Sequence, residues 1–83
     1  MSIHCADNYP EKKAKSDLDI PIPRGAGDEQ YLSLLVQCLS KIDRTNFIPD
    51  LVIYDAAVDV HARDKLGLLQ MTSGGIEARD RYI

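Results

Sequence analysis

The sequence predicts an α/β chain: a small open, mostly parallel sheet of two or three strands with two helices. Three observations carry that expectation. Tyr31, Leu35, Leu39 and Ile42 recur on one helical stripe. Leu51-Val52-Ile53-Tyr54 is a continuous apolar run of the kind expected in a parallel strand covered on both faces. Strand, helix and strand follow one another at the spacing of an α/β unit.

Taken in order, Ser2-Ile3-His4-Cys5 reads as a short strand. Ala6 to Ser16 is polar, carries Pro10 and has no recurring apolar face, so it reads as a surface loop. Its basic cluster, Lys12, Lys13 and Lys15, is assigned to solvent and given no function. Leu18 to Pro23 alternates apolar and other residues, but Pro21 and Pro23 remove ladder donors and confine it to an extended edge or a short strand. Arg24-Gly25-Ala26-Gly27 is a flexible connection. Asp28 is placed to cap the first helix, with Glu29 favouring the positive end of its dipole. Lys41 and Arg44 suit the last turns, Asn46 can take the left-handed cap conformation, and Pro49 forbids continuation, so this helix ends near residue 45. After the buried strand at Leu51–Tyr54 comes a charged loop with Arg63, Asp64 and Lys65, then an apolar turn at Leu66 to Leu69. A final helix starts near Thr72 or Ser73, weakened by Gly74 and Gly75 at roughly 1 kcal/mol each relative to alanine.

The 83 residues allow one domain, 1–83, at a size where a single core is barely self-sufficient, so a homo-oligomer is expected. A net charge of −3, with both signs interspersed, leaves no basic face for a nucleic-acid backbone. Cys5 and Cys38 are far apart and form no metal or redox spacing; both read as reduced core residues. No basic segment leads into an apolar one at the amino terminus, and no run approaches the roughly 20 apolar residues of a membrane span. The expectation is a cytoplasmic protein with no membrane partner.

Chemistry concentrates between Asp50 and Gly67. There an apolar run ends in carboxylates and an imidazole, and ligands of open α/β sheets bind outside the carboxyl ends of the strands. Asp59 and His61 are therefore candidate metal ligands, although two fall short of the three protein ligands of a catalytic zinc site. The bland alternative is a hydrogen-bonded loop pair. His4 reads as a satisfied histidine, Gly25 and Gly27 as a turn rather than an anion cradle, Cys38 as packing, and Tyr31 and Tyr54 as core aromatics.

Several motifs, in order, resemble the histone deacetylase family, nearest its bacterial and class IV members. Ser2-Ile3-His4-Cys5 with Asn8-Tyr9-Pro10 is similar to the family's strand and the aromatic-bearing loop at its substrate tunnel. Ser16 to Leu32 is similar to its short strand, glycine turn and helix start. Asp50 to Gly67 resembles the segment holding its second zinc-binding aspartate, and Thr72 to Tyr82 the helix that follows. The resemblance implies a piece of the arginase/deacetylase-like fold, zinc as the family's cofactor and an acetyl-lysine-type substrate. It places Asp59 as the zinc-ligating aspartate and Tyr9 at the tunnel rim, and gives His61 no ligand role. Ala56-Ala57 departs from the family's Ala-Gly and adds a side chain beside the ligand loop.

The family's paired histidines, its Asp-x-His ligands and its carbonyl-polarising tyrosine have no counterparts here; they are expected before Met1 and beyond Ile83. Asp59 is then a vestigial ligand, with no catalytic residue and no zinc bound. The chain is expected to be a catalytically incomplete, self-associating deacetylase fragment. Two alternatives stand beside it: a zinc-dependent deacetylase or amidohydrolase site completed by oligomerisation or a missing partner segment, with Asp59 and His61 from two copies sharing a metal, and a small binding module using the Asp59–Lys65 loop.

Overall fold

The computed structural model describes residues 1–83. Its elements are β1 (Ser2–Cys5), β2 (Asp19–Ile22), α1 (Asp28–Asp43) and α2 (Ser73–Tyr82). The strands pair in parallel, with Ser2 opposite Asp19 and Cys5 opposite Ile22, so the small parallel α/β architecture is as the sequence predicts. A parallel pair needs a crossover of a dozen or so residues, and the polar stretch from Ala6 to Leu18 supplies it.

The α1 stripe buries Tyr31, Leu35 and Cys38, with Leu39 and Ile42 half-buried below them. Asn46 has φ 56°, the left-handed conformation that follows the helix end. At the other end the expectation fails in its detail: Gly27 is the N-cap and no side chain caps α1. Asp28 instead reaches across to α2, where its carboxylate accepts from the Thr72 N–H at 2.8 Å and the Thr72 hydroxyl at 2.5 Å. Thr72 caps α2 in turn, accepting from the Gly75 N–H at 3.0 Å. A Cβ on Gly75 would collide with the Asp28 carboxylate. The glycine that weakens α2 thus admits the anion that favours its positive end.

A second ladder, formed by irregular segments, closes the core. The Gly25 N–H donates to the Leu68 carbonyl and the Gln70 N–H to Ala26, both at 2.8 Å. On its other edge this segment exchanges bonds with the loop from Val60 to Ala62 through Met71. Between these ladders lie Cys5, Ile22, Ala26, Tyr31, Val60, Leu69 and Met71. Cys5 and Cys38 are free thiols, both buried.

The predicted buried strand at Leu51–Tyr54 is absent. Leu51, Val52 and Ile53 are 78, 71 and 86% exposed, and Phe47 and Ile48 are exposed with them. No backbone–backbone hydrogen bond involves residues 47 to 57. The apolar run has the composition of a strand but no neighbouring backbone with which to form one. The surface area agrees: the chain exposes 6423 Å², against about 5,000 Å² for a compact protein of 9.3 kDa. No helix is long and apolar enough to cross a membrane.

Candidate functional site

An open hollow of about 530 Å³ lies between β1, the crossover loop and the segments around Asp59 and Leu68. Asp59 and Tyr9 both line it, so two of the three residues singled out from the sequence come to one place from 50 positions apart. Tyr9 is almost fully exposed at its mouth. Its loop is held by its neighbours: the Asn8 side-chain amide donates to the Leu66 carbonyl at 3.0 Å, and the Lys13 ammonium donates to the carbonyls of Asn8 and Pro10 at 2.7 and 3.0 Å. Lys13 therefore shapes the loop. The basic cluster read as plainly solvated contains one structural member.

The peptide around Asp59 is gripped on both sides. The Val58 carbonyl accepts from the His61 N–H and the Val60 carbonyl from the Met71 N–H, both at 3.1 Å. The side chain of Val60 is buried in the core. Gly67 lies so close to the Asp59 carbonyl that any Cβ there would overlap it. Asp64 fixes the approach of Gly67, accepting from the N–H groups of Leu66 and Gly67 at 2.9 and 2.7 Å. Asp59 itself makes no side-chain hydrogen bond, leaving its carboxylate available to the hollow.

His61 stands apart from this arrangement. Its Nε2 lies 3.1 Å from the Ser73 hydroxyl, and its Nδ1 accepts from the Arg63 N–H at 3.0 Å. Both ring nitrogens are engaged in local contacts, and the residue does not line the hollow. His4 pairs locally too, with the Ser2 hydroxyl 2.9 Å from its Nδ1. Nearby, the hydroxyl and N–H of Ser16 hold the Asp19 carboxyl below the usual carboxylate range.

Sequence reasoning missed a cluster on the far side of the Asp59 loop. Arg79 of α2 is 2% exposed. Its Nη1 donates to the Ala57 carbonyl at 2.6 Å and its Nε to Asp80 Oδ1 at 2.8 Å. The Tyr54 ring covers the guanidinium at 5.8 Å, and the Tyr54 hydroxyl donates to the same Asp80 oxygen at 2.7 Å. Burial, followed by the bond to Asp80, pushes the Tyr54 phenol up to about 12. The two donors from Arg79 and Tyr54 hold the Asp80 carboxyl below its ordinary range. Tyr54 is therefore a half-exposed lid on an arginine rather than the core aromatic expected. A buried charge at position 79 has no local signature in a helix whose other charged residues face water.

The histone deacetylase domain model matches residues 1–83. The chain belongs to the histone deacetylase family. It is similar to an uncharacterized protein of Picosynechococcus sp., at 44% identity over 83 residues, covering 100% of this chain and 27% of that protein. It is also similar to Histone deacetylase 2 of Arabidopsis thaliana, at 37% identity over 67 residues, covering 81% of this chain and 17% of that protein. The chain thus spans about a quarter or less of the length of these relatives.

Histone deacetylases are in general zinc-dependent, so the donor set can be tested against that metal. Nowhere do three or more His, Cys, Asp or Glu side chains gather at metal-binding distance. A catalytic zinc takes three protein ligands. Asp55 and Asp59 both line the hollow and carboxylates are fitting donors, but this family member's own residues gather no three-ligand zinc site.

Proposed function

We propose that this chain is a catalytically incomplete segment of a deacetylase domain, presenting one inherited ligand, Asp59, beside a substrate-rim aromatic, Tyr9, and having no deacetylase activity by itself. The observation that carries this reading is an Asp59 carboxylate lining the hollow in a chain where no three metal-ligating side chains gather. Hydrolysing an amide requires a polarising group, a proton acceptor for water and stabilisation of the oxyanion. One carboxylate supplies none of these in full. Acetate release from an acetyl-lysine peptide tests it, with the purified chain expected to match the blank with or without zinc.

The same reading includes self-association. The chain exposes about 1,400 Å² more than a compact protein of its mass, which exceeds the roughly 800 Å² each partner contributes to a stable interface. Its apolar part centres on residues 47 to 53, where unpaired backbone also invites strand addition.

A second reading is favoured by the open Asp59 carboxylate: a deacetylase site completed by a separate polypeptide that brings the remaining ligands to the hollow. His61 from a second copy is a poor source, because both its ring nitrogens are already engaged. Use of the Asp59–Lys65 loop as a binding module finds less support still, since His61 and Asp64 are turned inward to hold the loop itself.

A further inference from the structure

We infer that Arg79 is a positioning residue for Asp59: through the Ala57 carbonyl it fixes the loop that presents the carboxylate to the hollow. The inference rests on the deacetylase reading only for the meaning of Asp59; the mechanical hold stands on its own contacts.

From Ile48 to Ala57 the chain makes no backbone–backbone hydrogen bond. Two side-chain bonds tie this stretch to the rest of the molecule: Arg79 Nη1 to the Ala57 carbonyl at 2.6 Å, and the Tyr54 hydroxyl to Asp80 Oδ1 at 2.7 Å. Both converge on the same turn of α2. The first lies two residues before Asp59, where an otherwise untethered segment enters the gripped loop. Downstream, the bonds at Val58 and Val60 and the close approach of Gly67 fix the exit. Without the entry contact Ala57 has no anchor, and the Asp59 peptide is held only by the single bonds at Val58 and Val60.

Helix packing alone does not explain an arginine here. An apolar side chain of similar length would fill the space without desolvating a cation. The guanidinium is instead buried with its Nη2 short of a well-formed hydrogen bond, a net cost wherever only cohesion is at stake. Tyr31 of α1 is a further polar neighbour of the group. What the planar fork adds is simultaneous reach: Nε to Asp80, Nη1 to Ala57, and a flat face for Tyr54. Burial works against the charged form, but the bond to Asp80 and the neighbouring tyrosines outweigh it and keep the group cationic. Charge strengthens the bond to a neutral carbonyl.

The test is ¹⁵N relaxation of the full chain and of Arg79→Met and Arg79→Lys. In the unsubstituted chain the Ala57, Val58 and Asp59 amides are expected near the rigid-backbone order parameter of roughly 0.85. Arg79→Met should drop them below about 0.6 while α1 keeps its values, and Arg79→Lys, which retains one donor, should recover part of the loss. A rigid loop in Arg79→Met with α2 intact overturns the inference, as does a Lys variant no better than Met. Should Arg79→Met fail to fold, the unsubstituted chain still decides: Ala57 to Asp59 as mobile as Asp50 to Ile53 overturns the hold, and an ordered loop after a mobile run supports it. None of these outcomes depends on catalysis, so failure of the deacetylase reading is seen separately, in the acetate measurement.

Discussion

Tyr54 and Asp80 give the residue scale its clearest chemistry. The Tyr54 phenol is raised from its ordinary 10.0 to about 12, so the folded state favours its protonated form. Its contribution to stability is therefore complete below pH 10 and is lost as pH rises through 12. An alkaline absorbance titration should contain a phenolate step near 12 that Tyr54→Phe removes; an unchanged titration contradicts the lid geometry. Asp80 has the opposite sign. Its lowered folded value means stability present above the ordinary carboxylate range and lost as pH falls through that folded value. Denaturation along an acid series should show a shallower loss in Asp80→Asn than in the parent chain. The segment around Asp59 stood out in the sequence because a whole motif surrounds it, and Asp59 lines the hollow. Arg79 was not, since its partner carbonyl lies 22 positions away and nothing in a helix pattern announces a buried cation.

At the scale of elements, α2 shows two magnitudes in competition. Replacing Gly75 by alanine should strengthen the helix by roughly 1 kcal/mol on propensity. It would also push the Asp28 carboxylate off Thr72, and hydrogen bonds to a charged group are worth roughly 1.5–3 kcal/mol each. Gly75→Ala is therefore expected to destabilise by about 2–5 kcal/mol in urea unfolding, against the propensity trend. A stabilised variant would show the Asp28 bridge to be slack. The two strands and two helices were readable from periodicity, proline and glycine because each depends on local pattern. The Asp28 bridge was not, because a carboxylate beside a helix start reads as that helix's own cap when its partner is 44 residues away. Leu51–Tyr54 fails in an instructive way: its composition is that of a buried strand, but strand formation depends on a neighbouring backbone that these residues do not contain.

At the scale of the whole molecule, a small core supports a large surface. The radius of gyration of 13.0 Å exceeds the roughly 12 Å expected of a compact chain of this length, in line with the excess exposed area. With so few buried side chains, each matters: Met71→Ala, at a fully buried position, should cost roughly 2–5 kcal/mol and approach complete loss of the fold. The apolar run should drive assembly. Light scattering during a dilution series is expected to show species heavier than the 9.3 kDa monomer, shifted toward monomer by Ile53→Asp. A monomer of unchanged mass down to micromolar concentration would remove self-association from the account.

The most direct measurement is acetate release from an acetyl-lysine peptide by the purified 83-residue chain, with and without added zinc. No release above the blank is expected in either condition, because the chain gathers no three-ligand metal site around Asp59. Zinc-dependent release that disappears in Asp59→Ala would contradict it.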